Sequence, residues 1–211
     1  MRKVELFYDI VSPYSYLALV ALERYREAWA IDLVLRPAFL GGVMQAVGNV
    51  PPASLPARAP YLLRDIARKS RFFDVPMSMP DEFPGKTITA MRLLVLVEKE
   101  APDRHAAMAR ALFAHHWGEG RAVSDLDVLR SLARSAGVDA ALVDRLGEQA
   151  TKDRLKAVTD EVVERGAFGF PAIFTDVDGE DTMFFGSDRL DVLAHEIGVP
   201  WHGPRGPSSA R

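Results

Sequence analysis

The chain has no cysteine among its 211 residues. This absence excludes a disulfide-stabilised scaffold, a zinc site built from thiolates, a cysteine nucleophile and a Cys-x-x-Cys redox centre. The five histidines form no His-x-x-x-His or His-Glu-x-x-His pair, so we expect no metal site. Any thiol that takes part in the chemistry of this protein has to be brought by a ligand.

The chain also lacks a strong net charge and a long apolar run. Lys and Arg number 26 and Asp and Glu number 29, so the formal charge is −3, which favours neither nucleic acid nor a membrane surface as a partner. No apolar stretch approaches the roughly 20 residues that cross a bilayer. Residues 1–6 enter a strand pattern at once and leave no room for a signal or transit peptide, so we expect a cytoplasmic location.

The first 38 residues have the pattern of a strand, a helix and a second strand. Residues 4–10 are typical of a strand buried on both faces. Ser12 and Pro13 suit the N-cap and the first position of a helix, and apolar residues follow at helical spacing as far as Trp29. A short apolar run at 31–35 completes the βαβ unit of a parallel strand pair.

The middle of the chain is predicted to be helical. Glycine and proline between residues 41 and 60 favour a loop with one short helix. From residue 61 to 147 the spacing predicts helices and no strand. The predicted helices cover 62–73, 87–99 and 103–118, a stretch capped by Ser124 that ends at Gly137, and a shorter one from Asp139.

The last third returns to mixed structure. It contains a predicted helix at 152–165, a hairpin around Asp178 and Gly179, and a final helix that Ser187 opens. Without the helical block the order is βαβ-α-ββ-α, which is the order of a thioredoxin fold. We therefore predict an α/β thioredoxin-like domain formed by 1–38 and 150–200, with an all-helical insertion at 39–149 and a flexible tail at 201–211.

Five short motifs stand in order along the chain: Phe7–Tyr16, Arg36–Pro37 with Gly42–Met44 and Gly48–Pro52, Ala90–Arg92, Gly166–Pro171 and Phe185–Arg189. They resemble, in the same order, motifs of kappa-class glutathione transferases and 2-hydroxychromene-2-carboxylate isomerases. Both belong to the superfamily of the disulfide oxidoreductase DsbA, so the resemblance implies a DsbA-type fold over nearly the whole chain. Tyr16 and residues 116–120 look more like the isomerases, and this leaves the reaction open.

Ser12 is the candidate catalytic residue. On local sequence alone a plain helix N-cap is the favoured interpretation. A hydroxyl beside the free N–H groups of a helix N-terminus also favours a bound anion. The resemblance implies that Ser12 donates a hydrogen bond to the glutathione thiolate.

The resemblance also implies a glutathione site. The backbone of Phe170, before a cis Pro171, would pair with the cysteinyl part of glutathione. Ser187 and nearby N–H groups would hold the γ-glutamyl carboxylate, and Asp188 its ammonium. Without the resemblance, these residues suit an edge-strand proline, an N-cap and, at Asn49, a turn. The implied contact set is Ser12, Pro13, Tyr14, Asn49, Phe170, Pro171, Ser187 and Asp188.

Apolar residues near these motifs are candidates for a pocket that holds a second substrate. Core packing is the alternative role for at least half of them. The candidates are Tyr14, Tyr16, Phe39, Met44 and Trp117.

Three functions follow as hypotheses. The leading one is a kappa-class-type glutathione transferase that activates the thiol for attack on small hydrophobic or aromatic electrophiles or on peroxides. The first alternative is a glutathione-dependent isomerase acting on a hydroxychromene carboxylate in aromatic catabolism. The second is a non-catalytic protein that binds glutathione or a peptide. The resemblance further implies a homodimer, with the helical block as the contact surface.

Overall fold

The computed structural model describes residues 1–80 and 82–207. Its four-stranded sheet has the order β2-β1-β3-β4, in which β1 and β2 are parallel and the other neighbours antiparallel. The fold is therefore thioredoxin-like, as the order of the predicted elements indicated. The strands are β1 (Arg2–Tyr8), β2 (Ile31–Pro37), β3 (Ala172–Val177) and β4 (Glu180–Phe185).

The helices lie mainly between β2 and β3. Within 38–80 and 82–171 the structure has no strand. The helices are α1 (Pro13–Tyr25), α2 (Leu40–Val47), α3 (Ala59–Phe73), α4 (Ile88–Glu100), α5 (His105–Phe113), α6 (Leu126–Ser135), α7 (Gln149–Glu164) and α8 (Leu190–Glu196).

The central strand β1 is covered on both faces, as its sequence predicts. Val4 and Leu6 are fully buried in a cluster with α1, α4 and α5. Phe7 points to the opposite face and packs in a second cluster with Val162 of α7 and Phe174 of β3. The end of β1 is thus fixed from both sides, and this end carries the chain into the turn at Ser12.

Three helix predictions differ in detail from the structure. The cap of α6 is Asp125 and not Ser124, because the Asp125 carboxylate accepts the N–H groups of Asp127 and Val128 at 2.8 and 3.0 Å. The predicted helix at 103–118 is divided into a 3₁₀ turn, α5 and a π turn at Ala114–Gly118. The helix from Asp139 is a 3₁₀ turn at Ala140–Arg145.

The predicted hairpin joins β3 and β4. Val177 pairs with Glu180, so the loop contains Asp178 and Gly179, with φ of 54° and 89°. Positive φ at both central residues is the conformation that matches the twist of a tight hairpin. The hairpin brings the end of β4, and the turn after it, beside Pro171.

The segment after α8 lies against α1. Tyr25 stacks on Trp29 and Trp201, with ring centroids 4.3 and 4.9 Å apart. The Tyr25 hydroxyl accepts the N–H of His202 at 2.8 Å and donates to the carbonyl of Gly203 at 2.7 Å. Residues 201–203 of the predicted tail are therefore packed in the structure, and 208–211 lie outside the described residues. The domain boundaries given above stay predictions.

Candidate functional site

A cavity of about 900 Å³ lies between the sheet end of the thioredoxin-like domain and the helices inserted after β2. Its walls are the start of α1, the N-terminal part of α2, one face of α3 and four loops. The loops contribute residues 49–53, 83–87, 168–171 and 185, 186 and 188. Most of the residues singled out in the sequence meet here.

Ser12 lies at the cavity as the N-cap of α1. Ser12 is 4% exposed, and its hydroxyl accepts the N–H of Ser15 at 3.2 Å. The same hydroxyl donates to the carbonyl of Phe170 at 3.1 Å. Ser12 is thus a helix cap and also a buried donor at the positive end of a 13-residue helix. The helix N-cap and the hydrogen-bond donor to an anion, the two roles considered from the sequence, are therefore compatible with one geometry.

Phe170 and Pro171 line the cavity beside the start of α1. The peptide bond between them is cis, as the resemblance implied. The carbonyl of Pro171 accepts the N–H of Gly186 at 3.0 Å and so joins this loop to the end of β4. Pro13 and Tyr14 line the same cavity.

Ser187 and Asp188 follow β4, and of the two only Asp188 lines the cavity. Ser187 is 2% exposed, and among the described residues its hydroxyl has no hydrogen-bond partner. Asp188 lines the cavity and pairs with Arg189 at 3.2 Å. Gly186 before them has φ of 96°, and a Cβ there would lie 2.5 Å from Asp188 Oδ1, so a side chain would displace the carboxylate.

Asn49 bridges two walls of the cavity. It follows Gly48, which ends α2 in the left-handed region with φ of 69°. The side-chain amide of Asn49 donates to the carbonyl of Phe168 at 3.0 Å, and its oxygen accepts the N–H of Val50 at 2.9 Å. Asn49 therefore forms a turn and also lies beside the loop that contains Phe168.

The sequence interpretation missed the contribution of α3. Tyr61, Asp65 and Lys69 line the cavity at a spacing of four residues, which is one face of a helix. The Tyr14 hydroxyl donates to Asp65 at 2.7 Å, and burial together with this carboxylate raises the pKa of Tyr14. Tyr14 therefore stays a neutral phenol that joins α1 to α3. The regular spacing was visible in the sequence, but which face of the helix met the site was not.

Asp9 is the second residue that was missed. It follows β1, lines the cavity and is fully buried. Its carboxylate accepts hydrogen bonds from Val11, Leu40 and Thr87, and burial raises its pKa from the ordinary value despite these donors. An acidic residue at the end of an otherwise buried strand was the available signal.

The five candidate pocket residues divide into two groups. Tyr14, Phe39 and Met44 line the cavity. Tyr16 stacks on Phe113 with centroids 5.3 Å apart, outside the lining. Trp117 is fully buried in the core and donates its indole N–H to the carbonyl of Ile10 at 2.8 Å.

An aromatic pair that the sequence analysis did not single out lies at the rim. The rings of Phe168 and Phe185 are 4.3 Å apart, and the two residues are 42% and 38% exposed.

Within residues 1–80 and 82–207, no three His, Asp or Glu side chains lie close enough to hold a metal ion. No helix in that part of the chain is long and apolar enough to cross a membrane.

The comparison with known proteins assigns the chain to a class. Residues 3–198 match the family model of the DsbA-like thioredoxin domain, so the chain belongs to that family. Within it, the chain is an enzyme of the kappa-class glutathione S-transferase family. It is 38% identical to glutathione S-transferase kappa 1 of Rattus norvegicus, over 98% of this chain and 96% of the relative.

Isomerases are also close in sequence and structure. The chain is 29% identical to the 2-hydroxychromene-2-carboxylate isomerase of Pseudomonas putida, over 92% of this chain and 94% of that protein. A solved 2-hydroxychromene-2-carboxylate isomerase superposes with a TM-score of 0.81 at 26% identity, covering 93% of this chain and 94% of the other. Both reactions considered from the sequence therefore occur among its relatives.

Proposed function

We propose that the chain binds glutathione in the cavity at Ser12 and holds its thiol as a thiolate for attack on a small electrophile. One observation carries the proposal: a buried serine hydroxyl caps α1 at the cavity, beside the loop of Phe170 and the cis Pro171. The chain has no thiol of its own, so the sulfur comes from the ligand.

The energetics are within reach of these groups. Lowering a thiol pKa from about 8.5 to below 7 takes about two units, or roughly 2.7 kcal/mol of differential stabilisation. A hydrogen bond to a charged acceptor contributes roughly 1.5–3 kcal/mol, and a helix N-terminus adds about 0.3–1 kcal/mol. Ser12 and the start of α1 supply one of each.

The hydrogen bond of Ser12 to Phe170 changes in this proposal. A serine hydroxyl carries one hydrogen, and a thiolate is a charged acceptor that competes well against a neutral carbonyl. Ser12 therefore turns its hydrogen to the sulfur. The released carbonyl of Phe170 accepts the cysteinyl N–H of glutathione, so the number of hydrogen bonds is kept.

The turn after β4, whose Asp188 lines the cavity, suits the γ-glutamyl group of glutathione. The buried hydroxyl of Ser187 has no partner in the described chain, and a ligand carboxylate would accept its hydrogen. Asp188 supplies a carboxylate for the ammonium. A zwitterionic end needs one donor and one acceptor, and this pair provides both.

The second substrate would occupy the remaining part of the cavity, beside Phe39 and Met44. In a conjugation, the sulfur forms a bond to the electrophilic carbon and the leaving group departs with the electron pair of its own bond. With a peroxide, the sulfur attacks the peroxide oxygen and an alcohol leaves. A second glutathione then forms the disulfide and releases water.

The experiment that tests the proposal compares Ser12→Ala with Ser15→Ala. We expect the thiol pKa of bound glutathione, followed by its ultraviolet thiolate absorbance, to rise by about one to two units in Ser12→Ala. Turnover near neutral pH should fall with it. The matched control, Ser15→Ala, removes a buried hydroxyl three residues later on the same helix. Among the described residues this hydroxyl has no hydrogen-bond partner. Superimposable curves for Ser12→Ala and the wild type would mean that Ser12 is only a helix cap.

An isomerase is the second candidate, and the cations of the cavity favour it. Arg58, Lys69 and Lys86 line the cavity, and within the described ranges none of them forms an ion pair. Such cations suit an aromatic carboxylate. A paired assay with a chloronitrobenzene and a hydroxychromene carboxylate, each with and without glutathione, separates the two reactions. Glutathione binding without turnover or thiolate formation would indicate a non-catalytic binder.

We also propose that the enzyme is a cytoplasmic homodimer. The cytoplasm holds the glutathione pool that the reaction needs. The side chain of Phe72 on α3 is apolar, 60% exposed and outside the cavity lining, which supports a contact surface in the helical segment. Light scattering at micromolar concentration should give twice 23.3 kDa, and cell fractionation tests the location.

A further inference from the structure

We propose that Asp9 is a positioning residue for the thiolate site, acting through a closed ring of hydrogen bonds that runs around the cavity to Ser12. The inference rests on the proposed function of Ser12. It adds a residue that touches neither substrate in the scheme above.

Asp9 is the point from which the ring starts. One carboxylate oxygen accepts the N–H of Val11 at 3.0 Å, and the other accepts the N–H of Leu40 at 2.9 Å. The backbone carbonyl of Asp9 accepts the N–H of Ser12 at 3.0 Å. Asp9 thus fixes the turn that carries Ser12 and, at the same time, the first residue of α2.

The other half of the ring passes through α2. The N–H of Asn49, just beyond this helix, donates to Met44 at 2.9 Å, and the Asn49 side chain donates to Phe168 at 3.0 Å. Two residues later the carbonyl of Phe170 accepts the hydroxyl of Ser12 at 3.1 Å. Moving the start of α2 therefore moves the loop that faces the Ser12 hydroxyl.

A carboxylate is the side chain that fits the Asp9 position. Its two oxygens meet three donors, the third being the hydroxyl of Thr87 at 2.7 Å. An asparagine of the same shape could still accept from Val11 and Thr87, but its NH₂ group would face the N–H of Leu40. Asp9→Asn therefore breaks the link to α2 while keeping the volume and the other two bonds.

The same link can be broken from its other end. Leu40 is the first residue of α2, where proline is favoured, and Phe39 before it has φ −90° and ψ 110°, which suits a residue preceding proline. Leu40→Pro removes the N–H that Asp9 accepts. Leu40→Ala keeps that N–H and shortens the side chain, so it is the matched control. Thr151→Val controls for the loss of a buried hydrogen bond outside the cavity lining.

The experiment measures two quantities in each variant: the thiol pKa of bound glutathione and the hydrogen exchange of the Ser12 and Asn49 amides. We expect Asp9→Asn and Leu40→Pro each to raise the thiol pKa by about one unit and to lower kcat/KM near neutral pH about tenfold. Both amides should exchange about tenfold faster. Leu40→Ala and Thr151→Val should change the thiol pKa by less than about a third of a unit.

The outcomes separate the alternatives. Faster exchange with an unchanged thiol pKa would overturn the proposal and leave Asp9 a structural residue. A thiol pKa that falls in Asp9→Asn and stays unchanged in Leu40→Pro would also overturn it, because removing a nearby negative charge alone favours the thiolate. Unchanged amide exchange in both variants would also overturn the proposal, because it would mean that the ring does not couple Asp9 to Ser12 and Asn49. If Ser12→Ala leaves the thiol pKa unchanged, the proposed function itself fails, whatever the exchange rates show.

Discussion

The hydroxyl of Ser12 donates to the backbone carbonyl of Phe170 at 3.1 Å, across 158 residues of sequence. This bond joins the first helix of the thioredoxin-like domain to the loop before its third strand. Both ends of the bond lie at the cavity, and the hydroxyl has a single hydrogen to give. In the proposed function, glutathione binding at Ser12 is therefore an exchange of hydrogen-bond partners and not the filling of a free donor.

Asn49→Asp should weaken glutathione binding by loosening the loop at Phe168. The substitution removes the amide that donates to Phe168 but keeps an oxygen for the N–H of Val50. Loss of one exposed hydrogen bond costs about 1 kcal/mol, so we expect the dissociation constant to rise about fivefold. Calorimetric titration with glutathione measures it. An unchanged affinity would show that the bridge between α2 and this loop contributes nothing to binding.

Ser187→Ala should weaken binding without loss of stability. Its buried hydroxyl has no partner in residues 1–80 and 82–207, so its removal costs no hydrogen bond and relieves an unsatisfied group. We expect the dissociation constant for glutathione to rise about tenfold, since a donor to a carboxylate is lost. The midpoint of thermal unfolding without ligand should be equal or slightly higher. A lower midpoint with unchanged affinity would contradict the proposed role of Ser187 in ligand binding.

His105 should make the protein sensitive to acid. Burial, with a smaller effect of Arg36, lowers the pKa of His105 to about 4, and its Nε2 atom is hydrogen-bonded to the hydroxyl of Tyr8 at 3.1 Å. The unfolded chain has a histidine pKa near 6.5. The folded state disfavours the protonated ring. The contribution of neutral His105 to the free energy of unfolding is therefore complete above pH 6.5 and is lost as the pH falls towards 4. The loss approaches about 3 kcal/mol.

The variant His105→Gln isolates this contribution, since glutamine keeps an acceptor for Tyr8 and does not titrate. Urea unfolding between pH 7 and pH 4 should show a steeper loss of unfolding free energy in the wild type than in His105→Gln. Other titrating groups are common to both proteins and cancel in the difference. Parallel curves would mean that His105 is protonated in the folded state without cost.

Trp201→Ala should lower the free energy of unfolding by about 2 kcal/mol, because a partly buried aromatic stack is lost. Trp201 packs on Tyr25 with centroids 4.9 Å apart. The pKa of the bound thiol should not change, since Trp201 does not line the cavity. Denaturant titration and the thiolate titration measure the two effects. Unchanged stability would fit the flexible tail predicted from the sequence at 201–211.

The sequence was informative where local rules decide the structure. Apolar spacing and turn residues predicted the βαβ start and the hairpin at Asp178, because those elements depend on neighbouring residues. The start of α1 at Ser12 was predicted because serine is a favoured N-cap and proline is favoured at the first helical position. The order of the predicted elements then indicated the thioredoxin-like fold, and the five motifs implied its DsbA type. The same local rules misplaced the cap of α6 by one residue, since Ser124 and Asp125 are both good caps.

What escaped prediction depends on how distant segments meet. Asp65 reaches Tyr14 across 51 residues, and Thr87 reaches Asp9 across 78. Neither contact has a signal in the local spacing. Tyr16 and Trp117 were pocket candidates of the right chemical type, but α5 and the turn after it direct them into packing. Burial decides between an aromatic wall and an aromatic core, and burial is a property of the whole fold.

The position of Ser12, in a chain without cysteine, has a consequence for how the enzyme can be inactivated chemically. Enzymes that attack with their own sulfur are lost when that sulfur is over-oxidised or alkylated, because the higher oxidation states are repaired poorly. In the proposed reaction the vulnerable atom arrives with each ligand and leaves with it. An attack on the nucleophile destroys one small molecule and leaves the catalyst intact for the next. The working life of this site in an oxidising cell is then limited by the supply of reduced glutathione.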